Sequence, residues 1–217
     1  MNKAVLASVA MVGVGLVMAL RVQAAETKTA YQNDFSAAKV DAEPEGMLVY
    51  NGAFTVKEEA GNKFLELPGA PLESYGVLFG PNEAAGLSIA ARIQGSAKGR
   101  RFPTFGVGVA GVGGYKLQVS PAKKLLELFR GEEVVTNAPL AWESGSWTFL
   151  RLQSRKTADG QFQVEGKAWK QGEPEPKEWQ ISRTDKAEVP PGPQSIWGMP
   201  YAGTPIRFDD LLVTRVP

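Results

Sequence analysis

Short apolar runs cut apart by glycine and proline restrict this chain more than any other feature. Its 217 residues include 24 Gly and 15 Pro, scattered rather than clustered, as a fold with many turns requires. Apolar runs at 54–56, 64–67, 75–79, 87–93, 105–109, 115–119, 125–129, 133–136, 147–155, 162–169 and 206–216 predict strands, with a shorter one at Ile181. Asp159-Gly160 marks a hairpin between two of them, and residues 110–114 and Arg130-Gly131 mark further turns. No helical periodicity of useful length follows residue 25, and only 121–129 fits either period. Residues 25–32 read as a flexible leader, and 172–176 and 189–193 as rigid surface loops. One all-β domain over 33–217 is expected, with no repeat and no dividing linker.

The first 24 residues read as a signal peptide. Lys3 precedes an apolar stretch from Ala4 to Leu20, and Val22-Gln23-Ala24 offers small residues at the −3 and −1 positions of a cleavage site. No cysteine follows the stretch, which excludes a lipid-anchored lipoprotein. The expectation is a secreted or periplasmic protein with no membrane span once the leader is removed.

Composition removes several kinds of chemistry. Without Lys3 and Arg21 the 24 basic residues fall to 22, against 23 acidic ones, which argues against nucleic acid as a partner. The chain has no cysteine, so no disulfide frame supports it. It also has no histidine, which removes the usual general base and, with cysteine absent, the preferred ligands of zinc and copper. Any chemistry must rest on carboxylates, Lys, Tyr or an oxygen-bound hard cation.

Strand alternation then sorts side chains by face. Leu87, Ile89, Ala91 and Ile93 face inward and leave Arg92 and Gln94 outside; Lys116 and Gln118 are the outward pair of the next triplet. Leu150 and Leu152 face inward and leave Arg151, Gln153 and Arg155 outside. Phe162 and Val164 turn Gln163, Glu165, Lys167 and Trp169 outward. Arg92-Ile93-Gln94, Lys116-Leu117-Gln118 and Arg151-Leu152-Gln153 repeat a basic–aliphatic–Gln pattern. If the three strands share a sheet, its outer face is a field of donors and acceptors suited to sugar hydroxyls. The alternative is an ordinary solvated sheet face. Trp169, and Trp197 with Tyr201 on a loop shaped by Gly198 and Pro200, are the candidate stacking aromatics.

Pro205-Ile206-Arg207-Phe208-Asp209-Asp210-Leu211-Leu212-Val213-Thr214-Arg215-Val216 resembles the closing strand of a concanavalin A-like (laminin-G-like) jelly roll, and Asn33-Asp34-Phe35 its opening strand. Gly145-Ser146-Trp147-Thr148-Phe149-Leu150-Arg151-Leu152, Val164-Glu165-Gly166-Lys167-Ala168-Trp169 and the loop to Trp179 resemble its long central hairpin, as in relatives of the 3-keto-disaccharide hydrolase domain. The resemblance implies an antiparallel two-sheet jelly-roll sandwich with its first and last strands in one sheet and a polysaccharide or other glycan on one sheet face. It also implies a structural calcium ion near Asp34 and Asp209, while alternation keeps Asp209 and Asp210 from pointing the same way. The E-x-D-x-x-E pattern of the superfamily's glucanases is absent. The expectation is an exported, non-catalytic carbohydrate-binding domain with no assigned catalytic residue. The alternatives are a divergent glycoside hydrolase or polysaccharide lyase of the same superfamily, or an envelope protein–protein interaction module.

Overall fold

The computed structural model describes residues 28–69, 73–186 and 189–216; the expected signal peptide lies outside them. Among the described residues the regular elements are all strands, and no helix is long and apolar enough to cross a membrane. They are β1 (Thr29–Asn33), β2 (Leu48–Asn51), β3 (Thr55–Glu59), β4 (Asn62–Leu67) and β5 (Tyr75–Glu83). Then come β6 (Leu87–Gln94), β7 (Thr104–Val109), β8 (Tyr115–Ser120), β9 (Leu125–Arg130) and β10 (Glu133–Pro139). The chain continues with β11 (Trp147–Lys156), β12 (Phe162–Lys170), β13 (Ile181–Asp185), β14 (Gly192–Met199) and β15 (Ile206–Arg215).

Two antiparallel sheets form from them. The eight-stranded sheet runs β13-β12-β11-β6-β15-β4-β3, with β1 also on β15; the seven-stranded sheet runs β10-β9-β8-β7-β14-β5-β2. The opening and closing strands do meet, with Tyr31 opposite Val213 and Asn33 opposite Leu211. This is the expected all-β jelly-roll sandwich. The leader is shorter than expected, because Thr29–Asn33 is a strand: its backbone has the edge of β15 to pair with, a partner its polar side chains do not reveal. The stretch 189–193 is likewise not all loop, since β14 begins at Gly192 between β5 and β7.

The core lies between the sheets and follows the pleat. Along β11, Thr148, Leu150, Leu152 and Ser154 are buried while Arg151, Gln153 and Arg155 lie on the other face. Phe54, Phe105, Leu117, Leu126, Phe208 and Val213 join Leu150 and Leu152 in one continuous cluster. Close approach is possible because a Cβ on Gly166 would lie 2.7 Å from the Leu117 side chain. At one end the sheets are also tied by polar groups: the Tyr115 hydroxyl donates to Asp185 at 2.8 Å, and Arg130 reaches the same carboxylate at 3.0 Å. Burial, then the Asp185 hydrogen bond and charge, push the Tyr115 phenol far above its ordinary pKa.

Alternation breaks at one informative place. The register of β15 against β6 shifts between Asp209 and Leu212, and Asp210 has φ 50°. This is a β-bulge with an aspartate in the left-handed region, which short polar side chains tolerate. Asp209 and Asp210 therefore both reach the Arg92 guanidinium, contrary to the expectation from strict alternation. The extra residue shifts the alternation by one, so the inward set passes from Ile206 and Phe208 before the bulge to Leu211 and Val213 after it.

Candidate functional site

The three basic–aliphatic–Gln triplets do not share a sheet. β6 and β11 are neighbours in the eight-stranded sheet, but β8 belongs to the seven-stranded one, so Lys116 and Gln118 lie on the opposite surface of the molecule. The local pattern sets only the face of each side chain, and long-range pairing divides the triplets.

On the eight-stranded sheet the expected ligand-binding groups are engaged with one another. Arg92 Nη2 donates to Asp209 at 2.5 Å and to Asn62 at 3.0 Å; its Nε lies 3.0 Å from Asp210, off the hydrogen-bond angle, and its guanidinium sits 4.8 Å from the Trp147 ring centroid. Gln94 donates to the Gly145 carbonyl at 2.8 Å. Gln153 donates to Glu165 at 2.7 Å. Arg151 and Lys167 both reach Glu175, at 2.8 and 3.0 Å, and Lys167 also donates to the Pro176 carbonyl and lies over Trp179. Trp169 is stacked on Phe149 at 5.4 Å between ring centroids. The β12–β13 connection thus folds Glu175, Pro176 and Trp179 over this face. A sugar arriving here would have to displace intramolecular partners already in place.

Glu175 gives a pH test of that network. Burial alone would raise its pKa, but the Lys167 hydrogen bond and then the Arg151 charge outweigh it and hold the carboxyl below its ordinary value. A carboxyl depressed in the folded state contributes stability that is present above its unfolded pKa of about 4.3 and lost as pH falls through the folded value. The side chain is 37% exposed, so the contribution at neutral pH is under about 1 kcal/mol. Glu175→Gln should lower Tm by roughly 2–4 °C or less at pH 7, and the difference should shrink as pH falls below about 4.3 and vanish once pH lies below the lowered folded-state value. A gap that persists unchanged at pH 3 would show that Glu175 acts by packing alone.

Asp34 and Asp209 do not form a calcium site together. Asp209 is 1% exposed and accepts from Arg92, from Asn62 at 2.9 Å and, through its other oxygen, from the Asp210 amide at 2.7 Å. Asp34 is exposed and accepts from the Ser36 amide and hydroxyl, which lower its pKa. Its dent is shared with Asp210 rather than Asp209. A guanidinium already occupies the position a cation would need at Asp209, so the pair does not fit the ion. Among the described residues no three His, Cys, Asp or Glu side chains gather where they could hold a metal.

The outer face of the seven-stranded sheet is built differently. Trp197 lies within β14, not on a loop, and its cross-strand neighbours on the two sides are Gly106 of β7 and Gly76 of β5. The next step along the sheet brings Ser195 opposite Gly108. With no side chains beside it, the indole can lie down across the strands. A Cβ on Gly76 would come 2.6 Å from two atoms of its six-membered ring, and one on Gly108 would come 3.3 Å from Nε1. Nε1 donates to the Ser195 hydroxyl at 2.6 Å, which satisfies the indole N–H and fixes the ring. Tyr50, 58% exposed on edge strand β2, stands edge-on at 5.8 Å between centroids.

Beyond Gly106 the same row continues through Gln118 to Glu127, and the row beside it runs from Gly108 through Lys116 to Phe129. Gln118 donates to Ser120 at 3.0 Å, and Glu127 is buried against Lys123 at 2.9 Å. Trp197, Tyr50, Ser74, Lys116, Gly131 and Glu132 line one cleft of about 180 Å³. This surface combines a fixed indole, an upright phenol, an ammonium and two glycine clearings. It brings together Lys116, Gln118 and Trp197 of the expected residues. Tyr201, in the turn after β14 and 42% exposed, is not among the residues lining that cleft. Tyr50, Ser74, Ser195 and Glu132 were not foreseen. The signal that points to this place is Phe105-Gly106-Val107-Gly108-Val109, a strand with glycine at each outward position.

No family model and no curated protein matches this chain. Solved structures do. The carbohydrate recognition domain of Emp46p in its metal-free form superposes with a TM-score of 0.61 at 8% identity, covering 87% of this chain and 97% of that one. The carbohydrate-binding module CBM66 from Bacillus subtilis gives 0.53 at 11% identity over 78% and 95%. The exoplasmic/lumenal domain of VIP36 in its Ca2+/Man-bound form gives 0.52 at 8% over 79% and 83%. At these identities the likeness establishes the fold alone: an antiparallel two-sheet jelly-roll sandwich.

Proposed function

We infer that this chain is a carbohydrate-binding domain that works without catalysis, and that the glycan lies on the outer face of the seven-stranded sheet. The observation that carries the reading is Trp197, held flat over glycines by Ser195 with its N–H already satisfied. A ring so fixed offers a broad apolar surface to the C–H face of a pyranose at little entropic cost. Tyr50 would border the sugar, and Lys116 and Gln118 would meet its polar substituents. The solved neighbours, two of which are named for carbohydrate recognition or binding, support the ligand class. The reading moves the binding residues away from Arg92, Gln94, Arg151, Gln153, Lys167 and Trp169, whose groups are engaged with one another. Export, to the periplasm or beyond, is part of this proposal and rests on residues 1–24.

The test is a panel of soluble neutral and acidic polysaccharides, run with calcium and with chelator. Each is scored for retardation of the protein in affinity gels and for release of reducing ends or unsaturated products. Retardation without products is the expected result. Product release would make the protein an enzyme, and dependence on calcium would add an ion whose ligands lie elsewhere than Asp209.

A further inference from the structure

We propose that the Trp197 cleft selects an anionic sugar, one bearing a carboxylate or sulfate group that pairs with Lys116; the proposal rests on the binding face inferred above. The argument comes from comparing the cations the sequence offers. Arg92, Arg151 and Lys167 each have a carboxylate within ion-pair distance on the other sheet. Lys116 has none within 4.0 Å among the described residues, although it is half-buried on β8. Its ammonium stands over the Phe129 ring at 4.6 Å, a contact that is attractive but leaves its hydrogen-bond capacity unused. Burial lowers its pKa, while Glu132 and then Glu127 pull the other way from longer range. Glu127 is already paired with Lys123, and Glu132 is exposed on the β9–β10 turn, where water screens it. An ammonium held partly out of water with no counter-ion is the group that gains most when an anion arrives. Lys116 lines the same cleft as Trp197, so one ring could stack while its acidic substituent meets the cation.

The experiment compares matched polymers: polygalacturonate against its methyl ester, and dextran sulfate against dextran. Wild type, Lys116→Met, Lys116→Arg and Trp197→Ala are each measured by calorimetry, with folding checked by circular dichroism and Tm. The wild type should bind one acidic polymer at least about tenfold more tightly than its neutral counterpart. Whether that polymer is the carboxylate or the sulfate identifies the anion. Lys116→Met should remove the preference with Tm little changed, Lys116→Arg should keep it, and raising salt should weaken the wild type more than Lys116→Met. Equal binding of acidic and neutral polymers, or an acidic preference that survives in Lys116→Met, would overturn the anionic assignment. If Trp197→Ala still abolishes binding in that case, the binding face stands. If Trp197→Ala also leaves binding untouched, the face itself is wrong. No binding of any acidic polymer would likewise overturn the proposal.

Discussion

Trp197→Ala should abolish retardation by any polysaccharide the wild type binds, with a loss of at least about 2 kcal/mol, roughly thirtyfold in Kd. The size follows from where the ring sits. It lies on strand β14 between two glycines, its N–H is spent on Ser195, and Tyr50 stands edge-on beside it. Truncation leaves a bare glycine floor with nothing for a pyranose to rest on. Trp197→Phe should recover part of the affinity, because a smaller ring still fits between Gly76 and Gly106. Gly76→Ala provides the complementary test: its Cβ would strike the indole at 2.6 Å and lift it from the sheet, so affinity should fall although no contact group is removed. Unchanged binding in Trp197→Ala, in a protein that keeps its Tm, would place the glycan elsewhere.

Arg92→Met should do the opposite, damaging stability and sparing binding. Arg92 holds Asp209, which is 1% exposed, at 2.5 Å and also neutralises Asp210 beside it. Burial and the Asp209 charge already push the Asp210 carboxyl above its ordinary value, and Asp34 adds to this, so removing the guanidinium leaves these charges opposed. Breaking a buried pair by deleting one partner costs about 3–5 kcal/mol. For a domain of this length that lowers Tm by roughly 10 °C. Asn62 and the Asp210 amide remain as partners of Asp209 and keep the loss toward the lower end of that range. Denaturant unfolding of Arg92→Met and Arg92→Met/Asp209→Leu would measure it, since the double variant should recover part of the loss by removing the stranded carboxylate. If Arg92→Met instead kept its Tm and lost glycan affinity, the eight-stranded face would be the binding face after all.

These two results together would separate a surface that holds the fold from a surface that holds a ligand. Both carry Arg or Lys, Gln and Trp, which is why residue type alone did not tell them apart. The difference lies in what stands beside the cations. On the eight-stranded sheet Glu165, Glu175, Asp209 and Asp210 meet them; on the other sheet the cross-strand neighbours of Lys116 are Gly108 and Phe129.

The amino-acid sequence by itself determined the all-β class, most strand positions, and the face on which each residue of β6, β8, β11 and β12 stands. These are local properties: the pleat alternates every residue, and Gly or Pro interrupts it within a few positions. The meeting of β1 and β15 was legible only through a family resemblance, and the Asp209–Asp210 bulge ran against the alternation the sequence suggested. The tertiary structure alone decided which outward faces belong together. Strand β8 joins β7 and β9 rather than β6 and β11, and β14 inserts between β5 and β7. The β14 pairings link residues far apart in the chain through backbone hydrogen bonds that carry no side-chain signature. Trp197 therefore became the centre of the proposed site only when β5 and β7 placed Gly76 and Gly106 on either side of it.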